Sequence, residues 1–252
     1  MNIQNEELIN RLANFPNLYH LHPVVVATGQ LVPTDWSRGV MLEPTNLRLI
    51  AEEFKRIIDF NNIDVVAGIE LQGVPMATAL SLATGKPHVI VREKPKRAGR
   101  TALIGGVNFI KSGVRVLLVD DLIAYGGTKE ARAKQLEDLG ARITDVATFI
   151  QVRAVAPTRP LISGYNFSAN DWLERSGAHL HSLIWYHELA DLQVKAGTIS
   201  SELAEFISDN SNGPYWERRE NLQRLYEYMK REHLEIQDFV LEFMRQNGVQ
   251  GL

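Results

Sequence analysis

Between Val65 and Gln151 short β-branched runs alternate with stretches of helical period, the pattern that builds a parallel sheet from crossover units. It predicts strands over Val65–Ile69, His88–Arg92, Val114–Val119 and Val146–Ile150. Helices fill the gaps: Leu47–Phe60, Val74–Thr84 closed by Gly85, and Thr128–Leu139 closed by Gly140. Together these make a doubly wound α/β core. Beyond it, Asn170–Ser176 reads as a short helix that Asn170 caps, and Ala178–Trp185 as one more strand. From about Thr198 apolar residues recur only at helical spacing: Leu203, Phe206 and Ile207, then Leu222, Leu225, Tyr226 and Met229, then Phe239, Val240, Phe243 and Met244. Two or three appended helices are expected there, broken at Asn212-Gly213-Pro214. Met1 to Asn14 is polar and reads as a short helix.

Composition narrows the classes of partner. With 252 residues, 45% of them hydrophobic, the chain can build one main core and an appendage. A formal net charge of -3 argues against wholesale nucleic-acid binding, so any anion site must be local. There is no cysteine, which excludes disulfides and thiolate metal sites. No apolar stretch fits a signal peptide or a membrane span, so a cytoplasmic protein with no membrane partner is expected.

The chemistry concentrates on one segment. The run Val114 to Val119 delivers Asp120 and Asp121 to a strand's carboxyl end, where ligands sit in open parallel sheets. Leu122, Ile123, Ala124, Tyr125, Gly126, Gly127 and Thr128 then lead into a helix. The glycines allow a tight turn with inward N–H groups, and the helix start adds donors and positive dipole, so a phosphate is the natural guest. Two adjacent carboxylates beside a phosphate repel it unless hydroxyls or a divalent cation engage them, and a ribose diol with magnesium-bound pyrophosphate supplies both. The plainer reading is an Asp-Asp turn. A Walker loop fails because the order is Gly-Gly-Thr-Lys, and no G-x-G-x-x-G is present. A phospho-receiver needs a second strand-end Asp, whereas Asp171 sits in a polar helical context.

The stretch Val116 to Thr128, VLLVDDLIAYGGT, resembles the phosphoribosyl-pyrophosphate (PRPP) motif of type I phosphoribosyltransferases. Three further segments resemble that family in the expected order, closest to its orotate-type members. Glu70, Leu71, Gln72 and Gly73 match the pyrophosphate loop, whose strained or cis peptide would be Leu71–Gln72; Gln72 stands where orotate-type members commonly have Lys. The run from Arg92 to Arg100 sets five cations against Glu93 and matches the flexible catalytic loop. There Arg92 and Lys96 match the family's Arg and catalytic Lys, while Glu93 and Ala98 depart from its Lys and His. Closing cations would stabilise the departing pyrophosphate. The stretch from Ala27 to Ser37 resembles the hood that covers the base. Ala27 replaces the usual cation, Asp35 and Trp36 stand at the aromatic pair, and Trp36 is equally readable as core.

Base contacts are thus implied at Asp35, Trp36, Ala124 and Arg153, the last standing where orotate-type members place an Arg on the substrate carboxylate, with Val152 replacing the usual Asp. His179 and His181 alternate on the last strand and read as structural rather than metal-binding. The resemblance implies a phosphoribosyltransferase domain over 1–195, with its hood mainly at 15–45 and 160–190, while the helical extension expected over 196–252 rests on helical spacing and lies outside the resemblance. It implies transfer from PRPP to a nucleobase, most simply orotate or a related pyrimidine. Magnesium would be carried by PRPP with no direct protein ligand, and a homodimer would share its catalytic loop across subunits. A purine substrate, and a PRPP-binding regulator with little turnover, are the alternatives. The regulator reading draws on Glu93, Ala98, Ala27 and Gln72.

Overall fold

The computed structural model describes residues 1–21, 23–25, 31–32, 35–94, 102–124, 126–152, 169–212 and 218–252. In chain order they form α1 (Glu6–Ala13), β1 (Tyr19–His20), β2 (Val24–Val25), β3 (Leu31–Val32), β4 (Asp35–Trp36), α2 (Gly39–Leu42), α3 (Pro44–Ile57), β5 (Val65–Ile69) and α4 (Gly73–Thr84). Then follow β6 (His88–Val91), β7 (Ile104–Gly105), β8 (Arg115–Ile123), α5 (Gly127–Glu137), β9 (Arg142–Gln151), α6 (Ala169–Ser176), β10 (His179–Trp185), α7 (Tyr186–Ala196), α8 (Ser201–Asn212), α9 (Arg219–Arg231) and α10 (Asp238–Gln246). The sheet runs β10-β9-β8-β5-β6-β7, parallel except for β7, which pairs antiparallel with β6 at the edge. Two short antiparallel pairs, β1 with β4 and β2 with β3, stand apart from it. Among the described residues no helix is long and apolar enough to cross a membrane.

Strand alternation divides the core into two faces. Leu117 and Val119 of β8 join Val66, Phe149 and the inner sides of α1, α3, α4 and α7. Val116 and Leu118 join Val65, Ala67 and Val146 under α5 and α6. β5 is buried at all five positions, as a central parallel strand with both faces covered must be.

Most expected elements form, with boundaries moved for identifiable reasons. Helix α3 begins earlier, at Pro44, because Pro suits the first helical position and the Glu43 side chain accepts from Asn46 N–H. Gly85 closes α4 at φ 71, as its place in the sequence requires. Strand β8 does not stop at Val119: pairing with β9 carries it through Asp120, opposite Thr148, to Ile123, opposite Gln151. The two acids therefore lie inside the ladder rather than beyond it. Asn170 is a residue of α6, which starts at Ala169, and not its cap. Three helices follow residue 200, although Gly213 and Pro214 of the expected break lie outside the described residues. Helix α7 and the four short outer strands carry no strong period of their own and were not foreseen. Helix α8 joins two cores, since Ile207 packs with the main core while Phe206 packs with Leu222, Met229 and Met244 of the last two helices.

Candidate active site

The site gathers at the carboxyl ends of β5, β6 and β8. Alternation sends the two acids of β8 to opposite faces, Asp120 toward α5 and Asp121 toward the segment after β4. Both are buried, at 6% and 7% exposure. Each carboxylate has its own cation. Lys129, in the first turn of α5, sets its Nζ 2.6 Å from Asp120 Oδ2, with both side chains 9% exposed. Arg38 donates from Nε to Asp121 Oδ2 at 3.2 Å. The remaining oxygens accept from the backbone: Asp120 Oδ1 from Asp121 N–H at 2.9 Å, and Asp121 Oδ1 from Leu122 N–H at 2.8 Å. All four carboxylate oxygens thus have a protein donor, and each keeps a second lone pair for a ligand hydroxyl. The sequence reading left the acids to be relieved by substrate or metal; the protein relieves them itself. Burial still dominates at Asp120, since loss of water, reinforced by Asp121, outweighs the pull of Lys129 and raises its pKa to about 6.

Beyond the acids, Ile123 is buried and Ala124 half-buried as the chain leaves the strand. Gly126 takes φ 78, a conformation that favours glycine, and its carbonyl accepts from Glu130 N–H as α5 begins at Gly127. Thr128 is exposed in the first turn. The start of α5 therefore opens beside Asp120 with its first N–H groups unbonded within the helix, a ready anion seat. Tyr125 lies outside the described residues.

The expected pyrophosphate loop lies against the acids because Gly73 has no side chain. A Cβ there would come within 2.2 Å of the Val119 carbonyl oxygen, so α4 starts in direct backbone contact with β8. The non-proline cis peptide of the loop is Glu70–Leu71, one bond earlier than expected, immediately after β5 ends at Ile69. Glu70 and Leu71 are exposed and Gln72 half-buried. Arg92, expected both as the end of its strand and as the first residue of the catalytic loop, is anchored just past the end of β6. It is 18% exposed, its Nε lies 3.6 Å from Glu70, and its carbonyl accepts from the buried Arg132 of α5 at 2.9 Å. Lys96 and Ala98 lie outside the described residues.

Of the expected base contacts, Trp36 is 3% exposed, packed with its ring centroid 5.9 Å from that of Phe149. Beside it lies the Arg38 guanidinium, 5.2 Å from the ring centroid, which also donates to the Trp36 carbonyl. Trp36 is thus a core floor under Arg38 and not an open aromatic wall. Asp35 holds a place in β4, while its side chain and Arg153 lie outside the described residues. His179 and His181 lie on β10, two strands away from β8, where His181 Nε2 lies 2.8 Å from Asp145 Oδ1. Sequence reasoning missed Lys129, Arg38 and Arg132. For Lys129 a signal existed, because a helical side chain leans toward the helix start and so back over the preceding strand end.

The comparisons with known proteins agree with this geometry. A family described as "Phosphoribosyl transferase domain" matches residues 43–160. The chain is 42% identical over 132 residues to an orotate phosphoribosyltransferase of Thermococcus gammatolerans, covering 52% of this chain and 69% of that protein. It is 35% identical over 162 residues to a hypoxanthine/guanine phosphoribosyltransferase of Methanosarcina barkeri, covering 58% of this chain and 79% of the relative. Among solved structures, UMP synthase of Leishmania donovani shares the fold with a TM-score of 0.66 at 21% identity, over 84% of this chain and 43% of that one. The chain thus belongs to the type I phosphoribosyltransferase family of pentosyltransferases.

Proposed function

We propose that this protein transfers the 5-phosphoribosyl group of PRPP to orotate or a related pyrimidine, releasing pyrophosphate. The observation that carries this reading is the pair Asp120 and Asp121, buried yet with one acceptor site left on each oxygen, beside the glycine turn and start of α5. A ribose 2,3-diol has two donors for the acids, and its 5-phosphate suits the backbone from Ala124 to Thr128. The pyrophosphate would lie along Glu70 to Gly73, with Arg92 at its end and Lys96 closing over it.

Displacement at the anomeric carbon breaks the bond to pyrophosphate oxygen while the base nitrogen forms the new bond. Positive charge develops on the ribose, and buried carboxylates at the diol stabilise it more in the transition state than in the ground state. Arg92 and Lys96 would take up the charge growing on the leaving group. Magnesium would be carried by the pyrophosphate oxygens, and Glu70, exposed at the mouth of the loop, is a hard oxygen donor of the kind that ion accepts. When bound, it would neutralise part of the departing charge.

The orotate reading is supported by the relative of 42% identity, and a purine reading by the hypoxanthine/guanine relative. Mixing the purified chain with PRPP, magnesium and orotate, uracil, hypoxanthine, guanine or adenine, and following pyrophosphate, separates them. Release with orotate alone is expected, and Asp120→Asn with Asp121→Asn should lower kcat/KM at least about a hundredfold, since two charge-assisted hydrogen bonds are lost. Release only with a purine replaces the pyrimidine assignment. Tight PRPP uptake without release on any base leaves a sensor, the reading to which Gln72 and Glu93 lean. The homodimer is part of this proposal and is checked by sedimentation of the same sample.

A further inference from the structure

The two cations at the acid pair come from parts of the chain that share no other task. Lys129 belongs to the helix that receives the 5-phosphate, and Arg38 to the segment between β4 and α2. A lysine in the first turn of a helix normally lies in water and opposes the dipole there. Here it is 9% exposed and its Nζ is turned back onto the strand, 2.6 Å from Asp120. Burial of that kind is costly unless the charge is engaged, and Asp120 engages it. Among the described residues Arg38 is held by the Trp36 carbonyl, by the Trp36 ring and by Asp121. Both acids are therefore held at one oxygen by a cation and at the other by backbone, which fixes the direction of the unused lone pairs.

We propose that Lys129 and Arg38 are positioning residues of the ribose site, each aiming one diol-binding carboxylate and keeping it a hydrogen-bond acceptor. The inference rests on the reading of Asp120 and Asp121 as the diol-binding pair. Without Lys129, Asp120 is a buried acid beside another acid, free to turn and inclined to hold a proton. A carboxylic acid that donates has lost the acceptor that the sugar hydroxyl needs. Without Arg38, Asp121 loses its link to the hood segment and swings about the strand.

The test compares ribose 5-phosphate with its 2-deoxy and 3-deoxy forms, each lacking one hydroxyl of the diol, by calorimetry on the full chain at pH 7.5. The wild type should prefer the ribose form roughly tenfold or more, the scale of one hydrogen bond to a charged group. In Lys129→Met and in Arg38→Gln the ribose form should weaken while the deoxy form that lacks the hydroxyl accepted by the released carboxylate stays nearly the same, so that one preference falls to within about threefold. Adding Lys129→Met to Asp120→Asn should change nothing further. A variant that weakens all three sugars equally, or keeps both full preferences, overturns the inference and leaves the transferase reading standing. A wild type that takes up neither these sugars nor PRPP overturns both. Arg38 is partly exposed, so its variant serves if Lys129→Met does not fold.

Discussion

The two ends of one sheet treat the same kind of pair in opposite ways. At the amino end, Asp64 meets Arg115 at the start of β8, with Arg115 Nη2 and Nε donating at 2.8 and 3.0 Å and its backbone N–H at 2.9 Å. Arg115 holds Asp64 down to a pKa of about 2. At the carboxyl end, Lys129 stands even nearer to Asp120, at 2.6 Å, yet burial leaves that acid at about 6. Contact with a cation is common to both; the degree of burial, and the second acid beside Asp120, are what differ. The exposed pair keeps its hydration and gains from pairing, whereas the buried pair loses more water than the partner returns. One end of the sheet is therefore built for the fold and the other holds charge at a cost to it, the expected arrangement at a ligand site.

The backbone under the site offers the sharpest way to break this contrast. Gly73→Ala places a methyl 2.2 Å from the Val119 carbonyl oxygen, and the obstacle is main chain that no side-chain rotation can clear. Alanine gains helix propensity of up to about 1 kcal/mol over glycine. Overpacking against a rigid strand outweighs that, and we expect a net loss of about 2–3 kcal/mol in denaturant unfolding, with PRPP uptake weakened as α4 moves off β8. Unchanged stability and binding would mean that the close approach of the two loops is not what assembles the site.

How much of this was legible in the sequence follows from what each residue answers to. The acid pair, the glycine turn and the alternation of strand and helix are local patterns, and β5, α4 and α5 form close to where those patterns put them. The strand end at Ile123 was missed because it is set by a neighbour: Asp120 and Asp121 look like turn residues until β9 pairs with them. Arg38 was invisible for a different reason. It lies 83 positions from Asp121, and nothing local in Ser37-Arg38-Gly39 indicates a carboxylate across the fold. Trp36 could be read as wall or core, and only the approach of Phe149 decides for core.

A smaller effect tests the cost itself. Because folding raises the pKa of Asp120 from about 3.8 to about 6, the unfolded chain loses this proton first as pH rises, and the native state loses relative stability between those values. The penalty is complete above the folded pKa and absent below the unfolded one. Removing the pair in Asp120→Asn with Lys129→Met should stabilise the protein by about 1–2 kcal/mol at pH 7.5 and by almost nothing at pH 4, while abolishing the preference for a ribose diol. Denaturation midpoints at the two pH values check this. A double variant less stable than wild type at pH 7.5 would show that the pair supports the fold after all, and the contrast between the sheet ends would disappear.

The smallest effect belongs to the amino end, where the sign reverses. The pKa of Asp64 is lowered on folding, so its contribution is present above its unfolded value near 3.8 and fades as pH falls through about 2. Its side chain is 39% exposed and that of Arg115 35%, so solvent screens the pair and the contribution stays below about 1 kcal/mol. Asp64→Asn should therefore lower stability slightly at pH 7, less at high salt, and cease to do so only well below pH 2, where the wild-type carboxylate is itself protonated. Ligand binding should not change, because Asp64 precedes β5 and the sugar site lies beyond that strand's other end. A loss of PRPP affinity in this variant, with stability nearly intact, would mean that charge at one end of the sheet is felt at the other, and that the two ends are not the separate devices their opposite pKa shifts indicate.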